Sequence, residues 1–314
     1  MNNAHQLTRA SILLAFYTVI LLITLYVPIL GSILVLFLPV PFIIFSAKNN
    51  FKSTIVFFVG AVLLSLIVGG PRSILFTFTF GMTGITMGYL LQKQKGRWIT
   101  FLIASMVFLI NLVLMYVTMV IFFKLNFIEE FIKIAEESLT SSVKMVGSLG
   151  QTPNTKVIEQ MQASILMMET LIPSVFVMMS FMMVFFIQLV SVPILKRFDI
   201  SVSDWKPFRE LELPKSILYY YLISLALSIF ANPEVGSYLY AAVSNLVFVL
   251  QLFMVVQGIS FVFFYSHAKG FAKSFPIVAV VLAFFLPFLL YLVRILGIID
   301  LGFNLRKRLD KGPK

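Results

Sequence analysis

The chain has 314 residues, 60% of them hydrophobic and 12% charged, with a formal net charge of +11. A soluble domain carries about a quarter charged residues, so lipid must solvate most of this polypeptide. The surplus of lysine and arginine then reads as positive loops on the cytoplasmic side of a membrane, and nucleic acid is not an expected partner.

No cysteine is present, which removes disulfides, thiol nucleophiles and thiolate metal sites. Two histidines, His5 and His267, leave little for a metal centre or a catalytic dyad. No cofactor is expected.

A helix needs about 20 apolar residues to cross the hydrocarbon core. The uncharged run from Ala10 to Ala47 suffices for two spans turning at Pro28 and Gly31, and it is too long for a signal peptide. Lys48 and Lys52 precede a third span near 53–69, and a fourth lies near 73–91. Gly69-Gly70-Pro71-Arg72 separates these two, so a helix break carries a lone arginine. Beyond it Gly81, Gly84 and Gly88 share one helix face where another backbone can approach closely. Ala61, Ser65 and Gly69 make a similar face on the preceding helix. A fifth span, near 98–123, is bounded by Arg97 and Lys124.

The polar interval 125–170 follows. Asn126 and Glu129 have capping-box spacing. Ile128, Phe131, Ile132, Ala135, Leu139, Val143 and Val146 recur every three or four residues, which predicts an amphipathic helix broken at Gly147–Pro153. A second amphipathic piece carries Val157, Met161, Ile165 and Met168 and leads into a sixth span near 171–195. The linker 196–215 is polar, and Trp205 suits a membrane–water interface. Further spans lie near 216–231 and 237–265, and a last apolar segment, 274–299, holds Pro276, Pro287 and Arg294.

With the N-terminus inside, thirteen basic residues fall on inner loops: Arg9, Lys48, Lys52, Lys93, Lys95, Arg97, Lys196, Arg197, Lys206, Arg209, Lys215, Lys269 and Lys273. Five fall outside, Arg72, Lys124, Lys133, Lys144 and Lys156, together with the glutamate-rich interval. Nine full crossings would put the basic tail Arg306-Lys307-Arg308 outside, unless Pro287 splits the last segment into a re-entrant hairpin. The expectation is an all-α, polytopic transmembrane bundle of eight or nine spans with an extracytoplasmic amphipathic helical insertion. It would sit in a bacterial cytoplasmic membrane with the N-terminus cytoplasmic.

Several stretches are similar to the YybS-like family of uncharacterised multispanning bacterial membrane proteins. They are Gly69–Arg72, Phe208–Pro214, Gln257-Gly258-Ile259-Ser260, Gly297-Ile298-Ile299-Asp300 and Asn304–Arg308. The resemblance implies a core over 1–195 like the S components of energy-coupling-factor transporters, followed by the linker 196–215 and C-terminal helices 216–314. Ser11 and Ala15 form a small-residue pair on the first helix, where S components dock a coupling subunit.

The residues open to a functional reading are few. Arg72, at the expected outer mouth, is suited either to clamping a carboxylate or phosphate or to snorkelling as an interfacial anchor. Asn111, Gln188, Asn245, Gln251 and Gln257 are amides at membrane depth, suited to hydrogen-bonding between helices or to lining a cavity. Ser244, Gln251 and Gly258 are spaced by seven and line one face. Arg294 must face protein or an interface, because a central charge costs roughly 2.5–3.5 kcal/mol on insertion scales. Asp300 lies too far round the helix to be its ideal neighbour, and pairing within the tail or with another helix stays open.

The methionines around span six, Met167, Met168, Met178, Met179, Met182 and Met183, read as filler or as a flexible lining. No phosphate loop, metal-spaced cluster or nucleophile elbow is present, so an enzyme is not expected.

Two functions follow. One is binding an unidentified small molecule from the outer side and passing it inward, with Arg72, Asn111, Gln188 and Gln251 orienting it. The other is a membrane scaffold or regulator of envelope or sporulation proteins. Partners would be the lipid bilayer with either a coupling ATPase and its transmembrane subunit or other membrane proteins.

Overall fold

The computed structural model describes residues 3–148, 154–205 and 207–309, and every regular element among them is helical. In order these are α1 Asn3–Tyr26, α2 Pro28–Leu34, α3 Val40–Lys48, α4 Phe51–Gln92, α5 Arg97–Phe123, α6 Phe127–Ser148, α7 Thr155–Thr170, α8 Ile172–Arg197, α9 Lys215–Phe230, α10 Tyr238–Ala268, α11 Ser274–Phe285, α12 Pro287–Phe303 and α13 Leu305–Leu309.

By length and composition, six helical segments among the described residues can cross a membrane, or seven if the bent pair α11–α12 counts as one. The lower number has two causes. α4 joins two expected spans in one 42-residue segment, and α9, with 16 residues, is short.

The chain forms two compact units, 1–127 with 176–204, and 128–175 with 205–314. By compactness α6 and α7 group with the C-terminal helices.

In the first unit, α4 reverses direction. Gly70 has φ 67° and ψ −165°, a backbone that glycine reaches without steric cost, and Pro71 supplies no N–H to continue the ladder. The Phe58 and Phe78 ring centroids lie 5.2 Å apart, whereas 20 residues of straight helix would separate them by about 30 Å. Ser73 Oγ lies 2.5 Å from Ser65 O and 2.7 Å from Gly70 O, so one hydroxyl bridges the two arms.

The arm after the break packs on α3. A Cβ at Gly84 would stand 2.6 Å from Pro39 O, one at Gly81 would meet the Phe42 and Phe58 rings, and one at Gly88 would strike Ser46 and Ile43. Aromatic rings fill the interior: Phe42 contacts Tyr17 and Phe57 edge-on, Phe45 stacks on Phe57, and Phe80 meets Phe108. The one hydroxyl on these rings is satisfied, since Tyr17 Oη and Thr77 Oγ1 are 2.8 Å apart.

The ends of this unit differ in charge. Gln92 Nε2 donates to Asn49 O, Arg97 N to Ser203 Oγ, and Lys196 pairs with Asp204, which gathers the loops holding Lys48, Lys52, Lys93, Lys95, Lys196 and Arg197 at one end. At the other end Tyr26 Oη donates to Val68 O, and Arg72 lies over the Phe123 ring.

In the second unit α9, α10 and α12 share a core of Leu218, Tyr221, Leu250, Met254 and Leu301. On α6 the residues Ile128, Ile132, Ala135, Leu139, Val143 and Val146 are buried or half-buried, while Phe131 is exposed. Residues 149–153, where most of the expected break falls, lie outside the described residues, as do Lys206, Lys311 and Lys314. Asn245 ties α10 to the α7–α8 junction: its Oδ1 accepts from Ser174 N at 2.9 Å and its Nδ2 donates to Thr170 O at 2.7 Å.

Candidate functional site

Of the four residues expected to orient a ligand, Arg72, Asn111 and Gln188 lie in the first unit and do not converge there. Arg72 is exposed over Phe123 at the C-terminal end of α5, whereas Gln188 is buried and accepts from Arg97 Nε at the N-terminal end, 3.3 Å away. The length of α5 places these two points about 40 Å apart. Asn111 donates to Val107 O of its own helix. Gln251 belongs to the second unit. Ser11 and Ala15 are exposed on α1, and Ser11 Oγ donates to Leu7 O.

The second unit brings together polar groups that the sequence scatters. α10 and α12 run parallel in a register in which Gln251 faces Arg294, Met254 faces Gly297, and Gln257 faces Asp300. Two glycines allow the close approach, since a Cβ on Gly297 would strike Met254 O and one on Gly258 would strike Val293 O.

On one side of this crossing sits a buried charge cluster. Asn304, at φ 49° and ψ 53°, ends α12 in the left-handed region and turns the chain into α13, which carries Arg306 back toward Asp300. Arg306 Nε donates to Asp300 Oδ2 at 2.9 Å, Nη1 to Arg209 O at 2.7 Å and Nη2 to Ser260 Oγ at 3.1 Å. Its guanidinium lies over the Phe264 ring. Asp300 Oδ2 also accepts from Gln257 Nε2 at 2.6 Å, while Gln257 Oε1 accepts from Leu213 N at 2.9 Å. Ser260 Oγ reaches Phe208 O and Leu211 O. Asp300, Arg306, Gln257 and Ser260 are all less than a tenth exposed. Tail, linker and the C-terminal part of α10 therefore meet at one end of this unit.

On the other side of the crossing lies a cleft. α11 and α12 are bent by 119° at Leu286, which is extended at φ −115° and ψ 102°, and Pro287 opens α12. A cavity of about 140 Å³ at this bend is lined by Gln251, Val255, Pro287, Leu290, Tyr291 and Arg294. Arg294 rests over the Tyr291 ring at 4.5 Å, its one partner among the described residues. A smaller groove of about 30 Å³ lies in the first unit between Arg9, Leu13, Phe45 and Lys48. Among the described residues no group of three or more His, Asp or Glu is placed to hold a metal.

Residues 15–301 match the model of the family described as predicted membrane protein (DUF2232). Over 314 residues the chain is 32% identical to "Uncharacterized protein YybS" of Bacillus subtilis (strain 168), which covers 98% of this chain and 99% of that one. No solved structure matches it. The chain is thus an integral membrane protein and belongs to the DUF2232 family of predicted membrane proteins.

Proposed function

We propose that this protein binds a small polar solute at membrane depth, in the cleft between α10 and α12 beside the bend at Leu286. The observation that carries the reading is the helix break at Leu286–Pro287, which lines a cavity holding Gln251 and Arg294. Broken backbone at membrane depth is tolerated where it lines a water-filled cavity, and solute sites in membrane proteins are built at such breaks. The first unit supports binding less well, because aromatic rings fill its interior and its expected ligand residues lie apart.

The topology that goes with this reading has eight passes and a re-entrant hairpin. α4 supplies two antiparallel passes, α9 supplies one, and α11–α12 returns to the end it came from. N-terminus, linker and tail then share the cytoplasmic side, in line with the basic end of the first unit.

The volume selects the solute class by size. Ligand pockets for drug-sized molecules occupy about 300–1,000 Å³, so 140 Å³ suits a molecule of a few heavy atoms. Thermal-shift screening of the purified protein against small amino acids, short carboxylic acids, polyols and inorganic anions tests the reading. A solute should raise the melting temperature of the native chain but not of Leu290→Trp, which fills the cleft. If no solute stabilises the native chain, or one stabilises both alike, the cleft is not the binding site.

A further inference from the structure

We infer that the ligand group held in the α10–α12 cleft is an anion, a carboxylate or a phosphate, gripped by Arg294 with Gln251 beside it. This deepens the reading just given and rests on it.

Among the described side chains, Arg294, Asp300 and Arg306 lie around the glycine crossing. Asp300 is committed, since its Oδ2 takes both Arg306 Nε and Gln257 Nε2. Arg306 is likewise complete, with three acceptors and an aromatic face.

Arg294 stands six residues before Asp300, about 9 Å along the axis and on a different face of the helix. The Gly258–Gly297 contact lies between the two levels and brings the backbones too close for a side chain to pass. Arg294 therefore has no carboxylate among the described residues, only the Tyr291 ring, and its neighbour across the cleft is the uncharged Gln251.

A guanidinium without a counter-ion at membrane depth is costly, and such residues mark ligand counter-ion sites. Its planar fork matches two oxygens of a carboxylate or phosphate, and the Gln251 amide can donate to a third position. A neutral solute would leave the cation uncompensated. The anionic group can belong to a free solute or to the headgroup of an acidic lipid entering from the side.

The test uses the full chain in nanodiscs of phosphatidylcholine, titrated with inorganic phosphate, acetate and acetamide while the melting temperature is followed. Acetamide matches acetate in shape and lacks its charge. Acetate or phosphate should stabilise saturably and acetamide should not. Arg294→Gln should weaken the anion by about ten- to hundredfold, the value of one charge-assisted hydrogen-bonded contact. Arg294→Lys should keep part of the affinity, and it carries the comparison if the glutamine variant does not fold.

A parallel arm replaces the lipid with phosphatidylglycerol. Stabilisation there that is lost in Arg294→Gln, with no effect of free phosphate or acetate, supports the anion site and assigns it to a lipid headgroup. Stabilisation by acetamide that is equal in the native chain and Arg294→Gln overturns the anion inference and leaves the cleft reading standing. If neither probe nor lipid acts on the native chain, and Leu290→Trp is indistinguishable from it, both fall.

Discussion

Arg306→Met is the sharpest perturbation of the buried charge cluster. It removes three hydrogen bonds, at 2.9, 2.7 and 3.1 Å, and among the described residues leaves Asp300 with the side-chain donor Gln257 Nε2 at 2.6 Å. Each bond to a charged group is worth roughly 1.5–3 kcal/mol, but methionine restores the apolar stem and no longer carries a charge out of water. The dominant cost is the carboxylate left buried without its cation, and breaking a buried pair from one side typically costs about 3–5 kcal/mol. At roughly 2–4 °C per kcal/mol for chains of 150–250 residues, the melting temperature in detergent should fall by about 6–20 °C.

The double variant Asp300→Leu with Arg306→Met should recover most of that loss, because an apolar pair in place of a buried ion pair is often neutral or better. A local readout accompanies the global one. Arg306 holds the Arg209 carbonyl, so tryptic cleavage after Arg209 should accelerate in the single variant. A melting shift under about 2 °C, or a double variant as unstable as the two single losses added, would refute the charge-pair reasoning.

Three further outcomes are expected. Gly297→Leu places a side chain against Met254 O and should force α10 and α12 apart, costing about 1–3 kcal/mol or more as overpacking, read as a lower melting temperature and a broadened gel-filtration peak. Gly70→Ala meets no atom within 4 Å, so its cost is backbone strain alone at φ 67° and ψ −165°, about 1–3 kcal/mol. A larger loss would mean that Gly70 is packed rather than merely bent. The absence of native cysteine makes single-cysteine mapping direct: Lys52→Cys and Lys95→Cys should react with an impermeant maleimide from one side of the membrane, and Lys124→Cys from the other. Labelling of all three from one side would end the alternating arrangement of the first unit.

Where the chain breaks was legible in the sequence, because the cause is local. Gly70 can take a positive φ, and Pro71 and Pro287 cannot donate to the preceding turn, so a break is favoured at these positions. The buried side of α6 was legible from periodicity, except that the three-residue step to Phe131 points it outward. What was not legible is which polar groups meet. Gln188 finds Arg97 91 positions earlier in the chain, Asn245 finds Ser174 71 earlier, and Gln257 finds Asp300 43 later. Periodicity reports which face a residue occupies on its own helix, and it carries no register between helices. The Asp300–Arg306 pair was half legible. Asn304 is the asparagine that tolerates a left-handed turn, and a basic residue two positions beyond it can fold back on the helix end it has just left.

The register also explains why one arginine is tied down and the other lies open. Gln251, Met254 and Gln257 rise along α10 in steps of three, opposite Arg294, Gly297 and Asp300 on α12. The middle pair brings the two backbones into contact, so the two outer pairs are held at fixed spacing on either side of it. One outer pair is closed over by the linker and by α13, which supply further donors and acceptors. The other faces the bend at Leu286, where α11 turns away and, among the described residues, the Tyr291 ring alone packs against Arg294. Most of α11 is exposed, and it joins this region mainly through Ala283 against Val255 and Val293. A helix held by so few apolar contacts is the part of the unit that can yield at low cost, whereas α12 is fixed by glycine contact and ion pair together. α11 supplies none of the residues that line the cleft, so any such motion should leave Arg294 and Gln251 in place.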